Sequence, residues 1–240
     1  MVVTHGSLRS ARSRSTLTIG NFDGVHRGHR ALVERVVAKG RELGVTSCVL
    51  TFEPHPREFF AGAAAPARLT RLRDKLELLA AAGVERVHLI HFNARFAAMS
   101  AARFITDVLV RGLGVQWLLV GRDFRFGAKR QGDFATLEEA ARRDGFALEA
   151  MPDVSFDGER VSSSAVRAAL AAGDFARAER LLGAPTCSAA RSGKARALGA
   201  SSVFRPRISR SRSGRRLAAS MSWRCKTSAA AWRASDAARR

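Results

Sequence analysis

The chain has 240 residues, enough for one large domain or two small ones around a packed core. Its formal charge of +20 would suit a nucleic-acid partner, but residues 184–240 hold 14 Lys/Arg against one Asp, so about +13 belongs to that segment and about +7 to the first 183 residues. This distribution argues against a basic nucleic-acid fold in the first part, the three cysteines (Cys48, Cys187, Cys225) have neither metal spacing nor an even count, and no apolar run could span a bilayer.

The thiol usage fits a reducing cytoplasm. Residues 1–16 read as a flexible lead; the Arg/Ser-rich SLRSARSRS within it lacks the amphipathic face of a targeting segment. Leu17–Ile19 is a short apolar strand candidate that stops at Gly20. RALVERVVAKGREL places Leu32, Val33, Val36, Val37 and Leu43 on one helical face. VTSCVLTF reads as a buried strand ending at EPHP, where Pro54 and Pro56 are expected to forbid both helix and ladder. LRDKLELLAAAG is a helix closed by Gly83, RVHLIHF a strand, and SAARFITDVLVRGLG a helix capped by Ser100. VQWLLVG, DFATLEEAARRDG and FALEAM follow as strand, helix and strand, and SSSAVRAALAAG and DFARAERLLG as two short helices. Strands alternating with helices of this length imply an α/β fold with a parallel sheet, which binds ligands beyond the carboxyl ends of its strands.

The polar and Gly/Pro-rich signatures do follow strand ends: GNFDGVHRGH, EPHP and GRDFRFG. Gly20 and Gly24 permit positive φ and close backbone approach, and Gly28 falls near a helix start, where unpaired N–H groups favour an anion. His26 and His29, three apart, share one side of that first turn, and either can donate a hydrogen bond to a phosphate. A cap or a solvated side chain is the competing reading for each, and a zinc site would need further ligands.

The H-x-G-H signature after a first strand is that of the nucleotidyltransferase superfamily. GNFDGVHRGH together with TFEPHP and RVSSSAVR more closely resembles the FMN adenylyltransferase half of the bacterial bifunctional riboflavin kinase/FAD synthetases, over residues 17–183. The resemblance implies a Rossmann-like nucleotidyltransferase domain that transfers AMP from ATP to FMN, giving FAD and pyrophosphate. It implies that His26 and His29 contact the ATP phosphates, with Arg167 assisting catalysis. Gly20, Asn21, Phe22, Asp23 and Gly28 would line the nucleotide pocket, with Pro54, His55 and Pro56 bordering it and Arg160, Ser162, Ser163 and Ser164 at the phosphate tail. FMN would meet Asn93 and Asp123, while Phe92, Phe96, Phe124 and Phe126 are either flavin contacts or core. Mg²⁺ is expected with ATP, without a protein-built metal site. The terminal phosphate of FMN is already a nucleophile, so positioning and charge neutralisation would suffice. Partners of other kinds are not expected, whether membrane or, beyond non-specific contact through the tail, nucleic acid. Another H-x-G-H transferase, of the nicotinate mononucleotide or phosphopantetheine type, and a basic nucleic-acid-binding protein are the alternatives.

After Gly183 the sequence turns rich in Arg, Ser and Ala, where the resemblance would continue into a riboflavin kinase domain. Reading the codons one base out of frame permits GFPTANLA over Val203–Arg210 and GLGREL over Ala197–Ser202, and RPY and LSGKVR over Ala184–Lys194. Residues 184–240 are therefore expected to be a frame-displaced, disordered basic tail, and riboflavin kinase activity is expected to be absent.

Overall fold

A computed structural model describes residues 1–6 and 14–184. The expectations for residues 185–240 lie outside the described residues. Six parallel strands form one sheet in the order β1-β4-β3-β2-β5-β6: β1 (Val2–His5), β2 (Ser15–Ile19), β3 (Thr46–Glu53), β4 (Arg86–His91), β5 (Val115–Gly121) and β6 (Ala147–Met151).

Alternation along the strands sorts the core into two layers. Leu17, Ile19, Cys48, Leu50, Leu118 and Val120 face Phe104, Ile105, Leu109 and Leu137. On the other side, Val49 and Val87 meet Val33 and Val37 of α1 (Arg27–Leu43) and Leu79 of α3 (Leu72–Ala81), while Trp117 and Leu119 meet Val36 of α1. The second layer of helices comprises α5 (Ala101–Arg103), which runs into a π-helical stretch over Phe104–Val110, and α6 (Phe134–Asp144). Two further helices, α7 (Ser163–Ala171) and α8 (Phe175–Leu182), pack through Val166 and Leu181 against Leu69 and Val161.

Three expectations are corrected. The lead is not flexible throughout, because Val2–His5 is an edge strand in register with Arg86–Leu89 of β4, and β2 already begins at Ser15. Ser15 and Thr16 read as polar lead, yet both are fully buried, their hydroxyls donating to the carbonyls of Leu113 at 2.7 Å and Val36 at 2.9 Å. The prolines of EPHP do not exclude a helix: α2 (Pro56–Ala61) starts on Pro56, where the missing N–H has no intrahelical role, and His55 caps it. The helix expected over 100–114 is instead mostly π-helical, with Arg111 N donating to Thr106 O at 3.0 Å and Leu113 N to Val108 O at 2.9 Å.

Candidate active site

The strand order reverses at β2, with β3 on one side and β5 on the other. A cleft of about 250 Å³ opens at this point, beyond the carboxyl ends of β2 and β5. Gly20, Phe22, Gly28, His29, Asp123, Arg160 and Ser162 line it, so both ends of the sequence signature converge there.

The turn from β2 into α1 is tightly built. Positive φ falls on Phe22 (49°), Gly24 (86°) and Val25 (39°) and not on Gly20, contrary to expectation. Gly20 matters for space: a Cβ there would stand 3.1 Å from the Phe22 ring. Asp23 is buried at the centre of the turn. Its carboxylate accepts from Leu69 N (3.0 Å), Thr70 N (2.9 Å) and Thr70 Oγ1 (3.3 Å), and pairs with the Arg167 guanidinium. The other two Arg167 nitrogens donate to Ala67 O at 2.9 Å and Ser163 O at 3.3 Å. Arg167, expected to be catalytic, is thus engaged at every nitrogen within the chain and ties α7 to the turn and to the 67–70 loop.

His26 is the N-cap of α1, its Nδ1 accepting from His29 N at 3.3 Å. That bond assigns the ring proton to Nε2, leaving Nε2–H free to donate. The two imidazoles stack with centroids 3.7 Å apart and an interplanar angle of 17°, and Phe22 flanks His29 at 5.0 Å. Burial is the main cause holding both rings neutral. It lowers His26 to about 4, with Asp23 opposing and Arg167 reinforcing the shift, and it lowers His29 well below the ordinary imidazole value, helped by the charges of His26 and Lys75. His29 Nδ1 is buried with no hydrogen-bond partner among the described residues. Gly28 keeps the approach open: a Cβ there would stand 3.3 Å from His26 Nδ1 and 3.6 Å from Val161 O.

The remaining expected residues divide between cleft and periphery. Ser162 caps α7 by accepting from Ala165 N at 3.1 Å, Ser163 Oγ donates to Asp23 O at 2.9 Å, and Ser164 is exposed. Arg160 is exposed and pairs with Asp123 (3.3 Å) and Asp153 (2.8 Å), so an expected ATP contact and an expected FMN contact meet at the lip. Asn21 Oδ1 is buried and unpartnered among the described residues. Pro54 and Pro56 flank buried His55 beyond β3; its ring is held neutral chiefly by burial and feels Asp23, Lys75 and Arg167. Asn93 stands apart from the His pair, capping α4 (Ala94–Ala97) through Oδ1 at 2.9 Å from Phe96 N.

Sequence reasoning missed several neighbours. Phe59 and Phe60 join Phe52, Phe92 and Phe96 in a series of edge-packed rings, with Phe60 71% exposed. Arg68 binds Glu53 and Glu58 together, clamping the segment that carries His55 and these rings. Lys75 is buried four residues before Leu79, on the apolar stripe of α3; a charge at a core position was the available signal.

Residues 8–165 match the sequence profile of the family described as FAD synthetase. The chain belongs to the FAD synthetase family. It is 52% identical over 179 residues to a bifunctional riboflavin kinase/FMN adenylyltransferase of Pseudomonas fluorescens, covering 75% of this chain and 57% of that protein. Identity to the protein of the same name from Escherichia coli K12 is 50% over 181 residues, covering 75% and 58%. The chain thus spans somewhat over half the length of these curated relatives. In fold it is similar to a solved structure titled macrolide-efflux protein from Streptococcus pneumoniae, with TM-score 0.68 and 23% identity, over 77% of this chain and 62% of that one. Among the described residues no helix is long and apolar enough to cross a membrane.

The buried imidazoles give the domain a defined acid sensitivity. His26 and His88 each fall from 6.5 to about 4 on folding, mainly through burial, and His88 is 1% exposed with Nδ1 2.8 Å from Thr4 Oγ1. Between those values the unfolded chain binds more protons than the folded one, so stability is complete above about pH 6.5 and is lost as pH falls toward about 4. Each ring accounts for about 3 kcal/mol across the window. Urea melts from pH 7.5 to 4 are expected to show this loss, and a flat profile would contradict it.

Proposed function

We propose that the chain transfers AMP from ATP to FMN, releasing pyrophosphate and forming FAD. The observation that carries the reading is the stacked His26–His29 pair at the N-terminus of a 17-residue helix, whose Gly28 and His29 line the cleft at the reversal of strand order. An oxygen of the FMN phosphate attacks the α-phosphorus of ATP in line. The bond from that phosphorus to the β-phosphate oxygen breaks, and its electron pair leaves on pyrophosphate. The FMN phosphate carries close to two negative charges at pH 7, so no general base is required. His26 Nε2–H and the His29 ring supply donors, and the N-terminal dipole of α1 supplies positive potential, for the charge on the transferring phosphoryl oxygens. These donors are held in place before the reaction by the stack, the cap and the Asp23–Arg167 pair. Arg160 and Ser162 complete the phosphate side of the cleft.

The flat isoalloxazine fits the exposed edge of the ring series at Phe59, Phe60 and Phe92, with Asn93 beside it. Phe126 is instead buried against Phe104 in the core, with Phe124 stacked on it. Among the described residues no three His, Cys, Asp or Glu side chains are grouped to hold a metal ion, and both Asp23 carboxylate oxygens are engaged. Mg²⁺ is proposed to enter with ATP as its counter-ion, and no step is routed through it. We further propose that the kinase activity named for the relatives is absent, on the reading that residues 184–240 are frame-displaced sequence.

Purified chain mixed with FMN, ATP and Mg²⁺ is expected to yield FAD on chromatography. Riboflavin with ATP is expected to yield no FMN. A folded chain that binds both substrates and makes no FAD would overturn the reading.

A further inference from the structure

Arginines alternate with the histidines in the turn that opens α1: His26, Arg27, Gly28, His29, Arg30. The histidines take the cap bond and the stack, while the arginines reach to α8. Arg30 is 4% exposed, and its Nη1 donates to Gly183 O at 3.0 Å. Arg27 Nε donates to Arg180 O at 2.7 Å, and its guanidinium stands 4.2 Å over the Phe156 ring. Both acceptors lie at the carboxyl end of α8, where backbone carbonyls lack intrahelical donors and the helix dipole is negative. Gly183 permits the approach: a Cβ there would stand 2.8 Å from Arg30 Nη1 and 2.9 Å from Arg27 Cγ.

The same helix holds the other wall of the cleft. Arg177 binds Glu159 through two nitrogens, Nε at 3.0 Å and Nη2 at 2.6 Å, and Arg180 stands 3.8 Å from Asp157. These acids belong to the hairpin of Ser155–Phe156 and Glu159–Arg160, which runs directly into Val161 and Ser162. Gly28 and His29 line one side of the cleft and Arg160, Val161 and Ser162 another, while α8 is outside the lining. We propose that Arg27 and Arg30 are positioning residues for adenylyl transfer, fixing the His26–His29 turn on the carboxyl end of α8 and so setting it against the Arg160–Ser162 wall. Neither guanidinium touches the substrate; a displacement of about 1 Å at this turn would cost about 10²-fold in rate. The competing role is capping alone, in which the arginines satisfy the end of α8 and leave the α1 turn unaffected.

Amide hydrogen exchange and turnover of the full chain separate the two roles, compared for wild type, Arg30→Met, Arg30→Lys and Gly183→Ala. The amides of residues 29 and 30 are bonded to His26 Nδ1 and His26 O. In Arg30→Met they should exchange at least about tenfold faster relative to the amides of β3, the scale of one lost bond from a charged donor. Turnover per folded molecule should fall about tenfold or more, with KM for FMN within about twofold. Arg30→Lys, which keeps a donor, should recover part of both. Gly183→Ala acts from the α8 side; it should loosen the same two amides, and it decides the matter if Arg30→Met does not fold. Equal acceleration throughout the sheet, or faster exchange in α8 with the α1 turn unchanged, would overturn the proposal. The inference rests on the proposed function in taking that turn as the reacting site. The stated exchange pattern with a wild-type chain that makes no FAD would sink the transfer reading alone; FAD synthesis with kcat unaffected by Arg30→Met would sink this one alone.

Discussion

His29→Phe is expected to lower kcat for FAD formation by about 10²–10³-fold, the cost of removing one preorganised donor, or about 3–4 kcal/mol of barrier. FMN affinity should stay within about twofold. Phenylalanine keeps a ring against His26, 3.7 Å away, and against Phe22 at 5.0 Å, so the stack and the core beneath it persist. What disappears is the donor. His29 is well placed for such an effect because its buried Nδ1 has no partner among the described residues and the residue lines the cleft. Its neutral state at pH 7 follows from burial, so its contribution should not vary between pH 6 and 8. A variant with wild-type kcat would show that His29 merely packs. Equal loss of FMN affinity and turnover would show a general collapse of the site.

Asp23→Ala is expected to destabilise the domain by about 3 kcal/mol, because it strips a half-buried cation of its partner and leaves buried backbone donors unsatisfied. The carboxylate holds Arg167 together with the amides of Leu69 and Thr70, so one change releases α7, the 67–70 loop and the turn into α1. The loss should be smaller in the background of Arg167→Met, since the stranded charge is then absent. A double-mutant cycle by urea denaturation should give a coupling of about 1–3 kcal/mol. Additive effects would mean that the two residues stabilise the fold separately. Because the same pair holds the turn that carries His26, activity at a temperature where the variant is folded should also fall. Asp23→Asn, which retains an acceptor for one amide, should be intermediate in both respects.

The sequence makes the sheet legible because its strands alternate apolar residues between two helical layers, as Leu17 and Ile19 do against Val49 and Val87. It hides strand starts made of hydroxyl residues: Ser15 and Thr16 are core only because Leu113 and Val36 offer carbonyls, a tertiary fact. The helix at Pro56 was hidden by reading proline as a breaker when it stands at a first helical position. No local signal distinguishes the π-helical Phe104–Val110 from an α-helix.

In the site, the His pair and its glycine were legible because their spacing fixes them to one turn. Asn93 and Ser162, expected to meet FMN and the ATP phosphates, each make a helix-capping bond that no local signal separates from ligand binding. Arg167 is expected to assist catalysis, and its ion pair is not legible because its partner Asp23 is 144 positions away and only folding brings them together. Lys75 and Arg68 were passed over because a charge within a helical pattern, or in a loop, ordinarily faces water. Burial reveals Lys75, and the shared ion pair with Glu53 and Glu58 reveals Arg68.

The most direct test follows the label of ATP. With the α-phosphate labelled, the folded chain supplied with FMN and Mg²⁺ should place the label in FAD, and with the γ-phosphate labelled it should place it in pyrophosphate. Label from the γ-position appearing on the flavin, or no transfer of the α-label by protein that binds both substrates, would contradict the assignment of the His26–His29 cleft to adenylyl transfer.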